Sequence, residues 1–267
     1  MNQKIIEVKN LSKNFGPVQA VKNITFGVKQ SEIFAFLGPN GAGKTTTIKM
    51  LITLLAPTNG DATINGYSVI HHPAEVRKVI GYVPQMISVD GALTVQENLM
   101  LMAHLYDVSY RECNERIQQM LAFLNLEKYA RSLVRTLSGG MIRKLEVGQA
   151  MLHHPRLLFL DEPTTGLDPI AKRNIWEHLI ELRDTFGTTI FFSTHNMEEA
   201  EEACDRVAIM NAGEIAVIGE VSELKERTNK KDATLEDAFI FFAGNSLQAG
   251  GNFREIQRTR QTEQRLG

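Results

Sequence analysis

Residues 33–51 read Ile33-Phe34-Ala35-Phe36-Leu37-Gly38-Pro39-Asn40-Gly41-Ala42-Gly43-Lys44-Thr45-Thr46-Thr47-Ile48-Lys49-Met50-Leu51. An apolar run, a glycine-rich loop and a helix-forming run follow one another. The spacing Gly-x4-Gly-Lys-Thr from Gly38 to Thr45 is that of a phosphate cradle placed between a strand and a helix. Glycines let successive backbone N–H groups turn toward one anion, and the helix start adds its partial positive charge. Lys44 is expected to reach the β- and γ-phosphates of a nucleotide, and Thr45 to place its hydroxyl on Mg2+. The strand-loop-helix order predicts an α/β fold.

Bulk properties narrow the class. With 267 residues, 43% of them hydrophobic, the chain is long enough for a large buried core. A formal net charge of −2 argues against a general polyanion binder, so no nucleic-acid partner is expected. Cys113 and Cys204 have no paired spacing and read as free thiols. Met1-Asn2-Gln3-Lys4 leads straight into a strand-like run with no apolar signal segment, and no apolar stretch is long enough to span a membrane.

Working outward, residues 4–10 and 18–28 read as strands joined by a turn, Lys13-Asn14-Phe15-Gly16-Pro17. Phe15 alone suits plain packing, although a flat aromatic face can also stack on a purine. After the loop, Asp61 to Ile64 is a short strand and His71-His72-Pro73 a loop. Val79 to Gln85 reads as a strand ending at Pro84, with Gln85 just beyond. Thr94-Val95-Gln96-Glu97 and Ser109-Tyr110-Arg111-Glu112 match a helix capping box and open apolar-periodic runs at 95–106 and 110–125. Residues of about 86–150 thus form a helical insertion. It closes on Ser138-Gly139-Gly140-Met141, a common turn when taken alone but also a possible anion cradle at a helix start.

Leu157-Leu158-Phe159-Leu160-Asp161-Glu162 is a buried strand ending in two carboxylates. Ligands of parallel sheets sit at such strand ends. Asp161 is the expected metal-side partner of the phosphate loop, and Glu162 suits a base for water. Asp168-Pro169 makes a good helix start. Thr188 to Ser193 is a second buried strand, running into His195. The helix from Met197, with Glu198, Glu199, Glu201 and Glu202, reads as a solvated acidic face. Arg206–Met210 and Glu214–Ile218 form a hairpin, and two short helices are expected between Leu224 and Phe242. Residues 243–267 are Gly-, Gln- and Arg-rich and read as a loosely ordered polar tail.

Taken in order, the loop 38–45, Gln85, Leu137-Ser138-Gly139-Gly140, the strand 157–162, Gly166-Leu167-Asp168 and His195 resemble the ATP-binding subunits of ABC transporters. The resemblance covers about residues 4–242. It implies a P-loop NTPase core with a mostly parallel sheet, an N-terminal antiparallel β subdomain and an α-helical insertion. It also implies ATP and Mg2+ as ligands. By this resemblance Phe15 stacks on adenine, and the stretch from Gly38 to Thr46 holds the phosphates. Thr45, Gln85 and Asp161 hold Mg2+. Glu162, His195, Gln85 and Lys44 serve hydrolysis. Ser138, Gly139 and Gly140 clasp the γ-phosphate bound to a second copy of the chain, and Asp168 lies at the dimer seam. Met141 stands where the family usually has Gln and cannot make that residue's hydrogen bonds. Thr45 to Leu51, Ala56-Pro57-Thr58-Asn59-Gly60 and Thr234 to Phe239 are similar to the daunorubicin-resistance-like subunits of ABC-2 type exporters.

The expected function is therefore an ATPase that dimerises on ATP and drives export through a separate polytopic membrane permease, from the cytoplasmic face. An importer subunit and a soluble assembly ATPase of the same family are the alternatives. A repair ATPase of this kind would need a long coiled coil between Lys44 and Ser138, where no sustained heptads occur.

Overall fold

A computed structural model describes residues 3–249, with side chains through Gly244. Ten strands alternate with nine α-helices among the described residues. The strands are β1 (Lys4–Phe15), β2 (Val18–Lys29), β3 (Ile33–Leu37), β4 (Asn59–Ile64), β5 (Tyr67–Ser68), β6 (Ile80–Val83), β7 (Leu157–Asp161), β8 (Thr189–Thr194), β9 (Arg206–Asn211) and β10 (Glu214–Glu220). They form two sheets. One has four strands in the order β2-β1-β4-β5, and its pairs are antiparallel. The other has six in the order β10-β9-β3-β8-β7-β6, all parallel except the β9–β10 hairpin.

Strand β3 joins the two halves of the core. All five of its residues are buried, and successive side chains leave on opposite faces. Phe34 and Phe36 meet Phe26, Phe159 and Phe191 between the sheets, with the Phe36 and Phe191 centroids 4.9 Å apart. Ile33, Ala35 and Leu37 face the other way, into a second cluster shared with the helices. A fully buried strand explains why this run shows no polar alternation.

The helices are α1 (Lys44–Leu51), α2 (Pro73–Val79), α3 (Val95–Leu105), α4 (Tyr110–Phe123), α5 (Gly139–Met151), α6 (Pro169–Phe186), α7 (Met197–Ala203), α8 (Val221–Glu226) and α9 (Leu235–Ala249). The expected insertion is α3, α4, two short 3-10 turns and α5.

Four details differ from the sequence reading. The Lys13–Pro17 turn is only Gly16-Pro17: β1 runs through Phe15, which pairs with Val18. Residues His71–Pro73 are not all loop, because Pro73 opens α2 from a position whose missing N–H costs nothing. Thr94 and Glu97 form the expected reciprocal cap, whereas the Ser109 side chain caps nothing. The Glu112 carboxylate is engaged one turn on by Arg116 Nη2 at 2.8 Å. Finally, α9 continues to Ala249, across the boundary expected at 243, and residues 250–267 of the expected tail lie outside the described residues.

Candidate nucleotide site

The loop leaves β3 at Leu37. The Gly38 N–H donates to the Thr194 carbonyl at 3.2 Å. A Cβ on Gly38 would stand 2.1 Å from the Met210 carbonyl oxygen, so only glycine passes under β9. Gly43, at φ +103°, precedes α1, and no side chain caps that helix. The N-terminal turn is therefore presented to a ligand rather than to the protein's own side chains. Lys44 Nζ is buried. It donates to the Gly38 and Pro39 carbonyls at 2.8 and 3.2 Å, and lies 3.6 Å from Glu162 Oε1. Burial pushes its pKa down, opposed by the charges of Glu162 and Asp161.

The residues expected to hold a metal lie where β7 and β8 end. Thr45 Oγ1 donates to Asp161 Oδ1 at 3.0 Å, and Ser193 Oγ donates to the same oxygen at 2.5 Å. Burial, aided by Asp161, pushes the neighbouring Tyr82 hydroxyl up to about 12, so it stays protonated. A hydroxyl and a carboxylate form a hard-oxygen donor pair of the kind Mg2+ takes, with its remaining positions left to phosphate and water. Among the described residues no group of three or more His, Cys, Asp or Glu forms a metal cluster.

Glu162 is the meeting point. Its backbone has φ +50°, an uncommon value for a non-glycine residue. Its N–H donates to Ser193 Oγ and to the Ser193 carbonyl, both at 3.1 Å. This turns its side chain back across the phosphate loop. Glu162 Oε2 accepts from Thr165 Oγ1 at 3.0 Å and Gln85 Nε2 at 3.4 Å, and lies 3.1 Å from His195 Nδ1. Asn40 to Thr46, Ala20, Gln85 and Glu162 line one open cleft of about 520 Å3. Lys44, Thr45, Gln85, Asp161, Glu162 and His195 are thus joined in one bonded network around it.

Other expected residues lie apart. Ser138 is exposed and caps α5, accepting from the Met141 N–H at 3.3 Å. Asp168 is exposed and caps α6, accepting from the Ala171 N–H at 3.0 Å. The two helix starts touch: a Cβ on Gly140 would stand 2.9 Å from that of Ala171, and one on Gly139 3.5 Å from Leu167 Cδ2. Neither Ser138-Gly139-Gly140 nor Asp168 lines the cleft. Phe15 is half-exposed beside the hairpin turn, with Lys13 Nζ 5.3 Å from its ring centre, and it does not line the cleft either.

Sequence reasoning missed four members of this neighbourhood. Ser193 and Thr165 orient Asp161 and Glu162. Arg143 and Glu146 form a buried pair at 3.0 Å on α5. Arg143 Nη1 and Nη2 donate to the Pro84 and Gln85 carbonyls at 2.7 and 3.0 Å. Glu146 Oε1 accepts from the Ser88 N–H at 2.6 Å. The signal for this pair was two opposite charges three apart on the buried side of an otherwise apolar helix.

Known proteins resemble this chain in sequence and fold. Residues 21–165 match the profile of the ABC transporter family. The linearmycin resistance ATP-binding protein LnrL of Bacillus subtilis is 39% identical over 223 residues, 84% of this chain and 71% of its own length. The Nod factor export ATP-binding protein I of Cupriavidus metallidurans is 40% identical over 220 residues, 82% of this chain and 72% of its own. A solved ATP-binding subunit of an ABC transporter superposes with a TM-score of 0.80 at 32% identity, covering 90% of this chain and 99% of that one. A dimeric ATP-binding cassette in a post-hydrolysis state, bound to ADP and Pi, superposes with a TM-score of 0.72 at 26% identity, covering 80% and 98%. With its phosphate loop, Gln85 and Glu162 lining one cleft, the chain belongs to the ABC transporter family, as an ATP-binding and ATP-hydrolysing subunit.

Proposed function

We propose that two copies of this chain close head to tail around ATP, each completing the other's site, and that the cycle drives export through a separate membrane permease. One observation carries the reading. Lys44, Gln85 and Glu162 line one cleft, with His195 against Glu162, while the Ser138-Gly139-Gly140 turn and the exposed Asp168 form a second face that does not line it. A second copy would bring that face to the cleft, with Ser138 and the α5 start against the γ-phosphate. In this reading residues 1–242 are the ATPase domain and about 86–150 its helical part.

Within the cleft, the loop N–H groups and Lys44 hold the β- and γ-phosphates in line for attack. Phe15 stacks on the adenine. Thr45 and Asp161, with Gln85, would hold Mg2+. When bound, this ion neutralises charge on the β- and γ-phosphate oxygens. Glu162 accepts a proton from the water as its oxygen bonds to the γ-phosphorus and the bridging oxygen leaves to ADP. His195 and Gln85 hold Glu162 and the water in place. Positioning and electrostatics supply most of such catalysis.

No helix among the described residues is long and apolar enough to cross a membrane. In this reading the chain works at the cytoplasmic face, held there by its permease. The relatives named for export and resistance support the outward direction. Affinity purification of the full chain from solubilised membranes tests this. A polytopic membrane protein is expected to co-purify, and recovery with a soluble scaffold alone would overturn the reading.

A further inference from the structure

The acidic helix α7 is not wholly a solvated face: Glu201 holds Lys225 and the Leu235 N–H, and Glu199 turns toward the site. Glu199 Oε1 accepts from Thr164 Oγ1 at 2.5 Å and from Trp176 Nε1 at 3.0 Å. Glu199 Oε2 accepts from Thr194 Oγ1 at 2.5 Å. Both threonines are buried, at 4% and 2% exposure. Thr164 lies two residues beyond Glu162, and Thr194 is bonded directly to His195 in the chain. Trp176 belongs to α6, the helix capped by Asp168. The Thr194 hydroxyl also accepts from the Asn196 N–H at 3.0 Å, so its proton is committed to Glu199. One carboxylate therefore ties together the segments that carry Glu162, His195 and Asp168. Hydrogen bonds to an ionised acceptor are the strong ones.

We propose that Glu199 is a positioning residue for hydrolysis: it sets the separation of the loops bearing Glu162 and His195, and links that separation to α6 through Trp176. An amide in its place keeps an acceptor for Thr164 and Trp176 but turns its N–H2 group toward Thr194, whose hydroxyl must then accept instead of donate, and the charge that strengthened all three bonds is gone. The His195 Nδ1 to Glu162 Oε2 contact at 3.1 Å is then no longer held from behind. Nucleotide binding rests on the phosphate loop and is untouched. Trp176 is the chain's only tryptophan, so its fluorescence reads this joint directly.

The inference rests on the hydrolytic roles of Glu162 and His195 proposed above. The test uses the purified full chain. In Glu199→Gln, kcat is expected to fall about tenfold while KM for ATP stays within about twofold. Thr194→Val is expected to act alike, and the double variant to be no worse than either single one, because both remove the same link. ATP is expected to change the parent's Trp176 emission and to leave that of Glu199→Gln unchanged. Parental kcat in either single variant, additive losses in the double, or an ATP-silent Trp176 in the parent would each overturn the proposal. Should Glu199→Gln not fold, Thr194→Val decides alone, since it exchanges a hydroxyl for a methyl of similar volume. A parent without turnover, or a fully active Glu162→Gln, defeats the underlying reading. An active parent with inert Glu162→Gln and normal Glu199→Gln defeats only the Glu199 proposal.

Discussion

Replacing Glu162 by Gln keeps the side chain's shape and removes its charge, and the structure predicts opposite effects on rate and affinity. Loss of a positioned proton acceptor lowers turnover by about 10²–10⁴-fold, or about 2.7–5.4 kcal/mol of barrier. Affinity moves the other way. Lys44 Nζ lies 3.6 Å from Glu162 Oε1, with both side chains buried. At an effective dielectric of about 20, a pair at that 3.6 Å separation attracts by about 4–5 kcal/mol. An incoming γ-phosphate must draw Lys44 away from Glu162 and then sit beside the carboxylate left behind. The Glu162→Gln substitution removes both penalties. If a third to a half of the attraction is felt after hydration and counter-ions, ATP binds about ten- to a hundredfold more tightly. Calorimetric titration with Mg-ATP gives the affinity, and phosphate release gives the turnover. Turnover above about one-tenth of the parent's, or ATP bound more weakly than by the parent, would refute the assignment of Glu162 and its pairing with Lys44.

Two further outcomes follow from buried charge. Arg143→Met leaves Glu146 buried without its partner and frees the Pro84 and Gln85 carbonyls; a loss of about 3–5 kcal/mol in urea denaturation is expected, partly recovered in the Arg143→Met/Glu146→Leu double variant. Full stability of the single variant would contradict the clamp. His153 is buried against Tyr106, with centroids 3.8 Å apart, and chiefly burial pushes its pKa below the usual 6.5. The folded state thus prefers the neutral ring. This contribution is full above pH 6.5 and is lost as pH falls from there toward the lowered value. Denaturation midpoints are expected to drop on that acid side, and less steeply in His153→Phe, which keeps a ring against Tyr106. Equal slopes would remove His153 as the cause.

Much of the architecture was legible because it is written in local pattern. The Gly-x4-Gly-Lys-Thr loop between an apolar run and a helix announced itself, and the five buried residues of β3 confirm why that run lacks alternation. Strand ends at Asp161 and Thr194 placed Asp161, Glu162 and His195 at the C-terminal ends of two neighbouring parallel strands. Alike cap patterns at Thr94 and Ser109 diverged: Thr94 and Glu97 cap each other, whereas Ser109 caps nothing and Glu112 accepts from Arg116, an alternative partner that pattern matching does not weigh. Glu199 read as one of four solvated acids. Its role depends on Thr164 and Trp176, 35 and 23 residues distant in the chain, which helix periodicity alone cannot bring together. Arg143 and Glu146 were hidden in the same way, since their partners Pro84 to Ser88 lie across the insertion.

The claim at the centre is that one chain holds half a hydrolytic site. Light scattering on the Glu162→Gln chain with and without Mg-ATP measures this most directly. A mass of 29.9 kDa is expected without nucleotide, twice that with it, and a return to 29.9 kDa when Ser138→Arg is added. A mass that stays at 29.9 kDa in saturating ATP, or a doubled mass indifferent to Ser138→Arg, would contradict it.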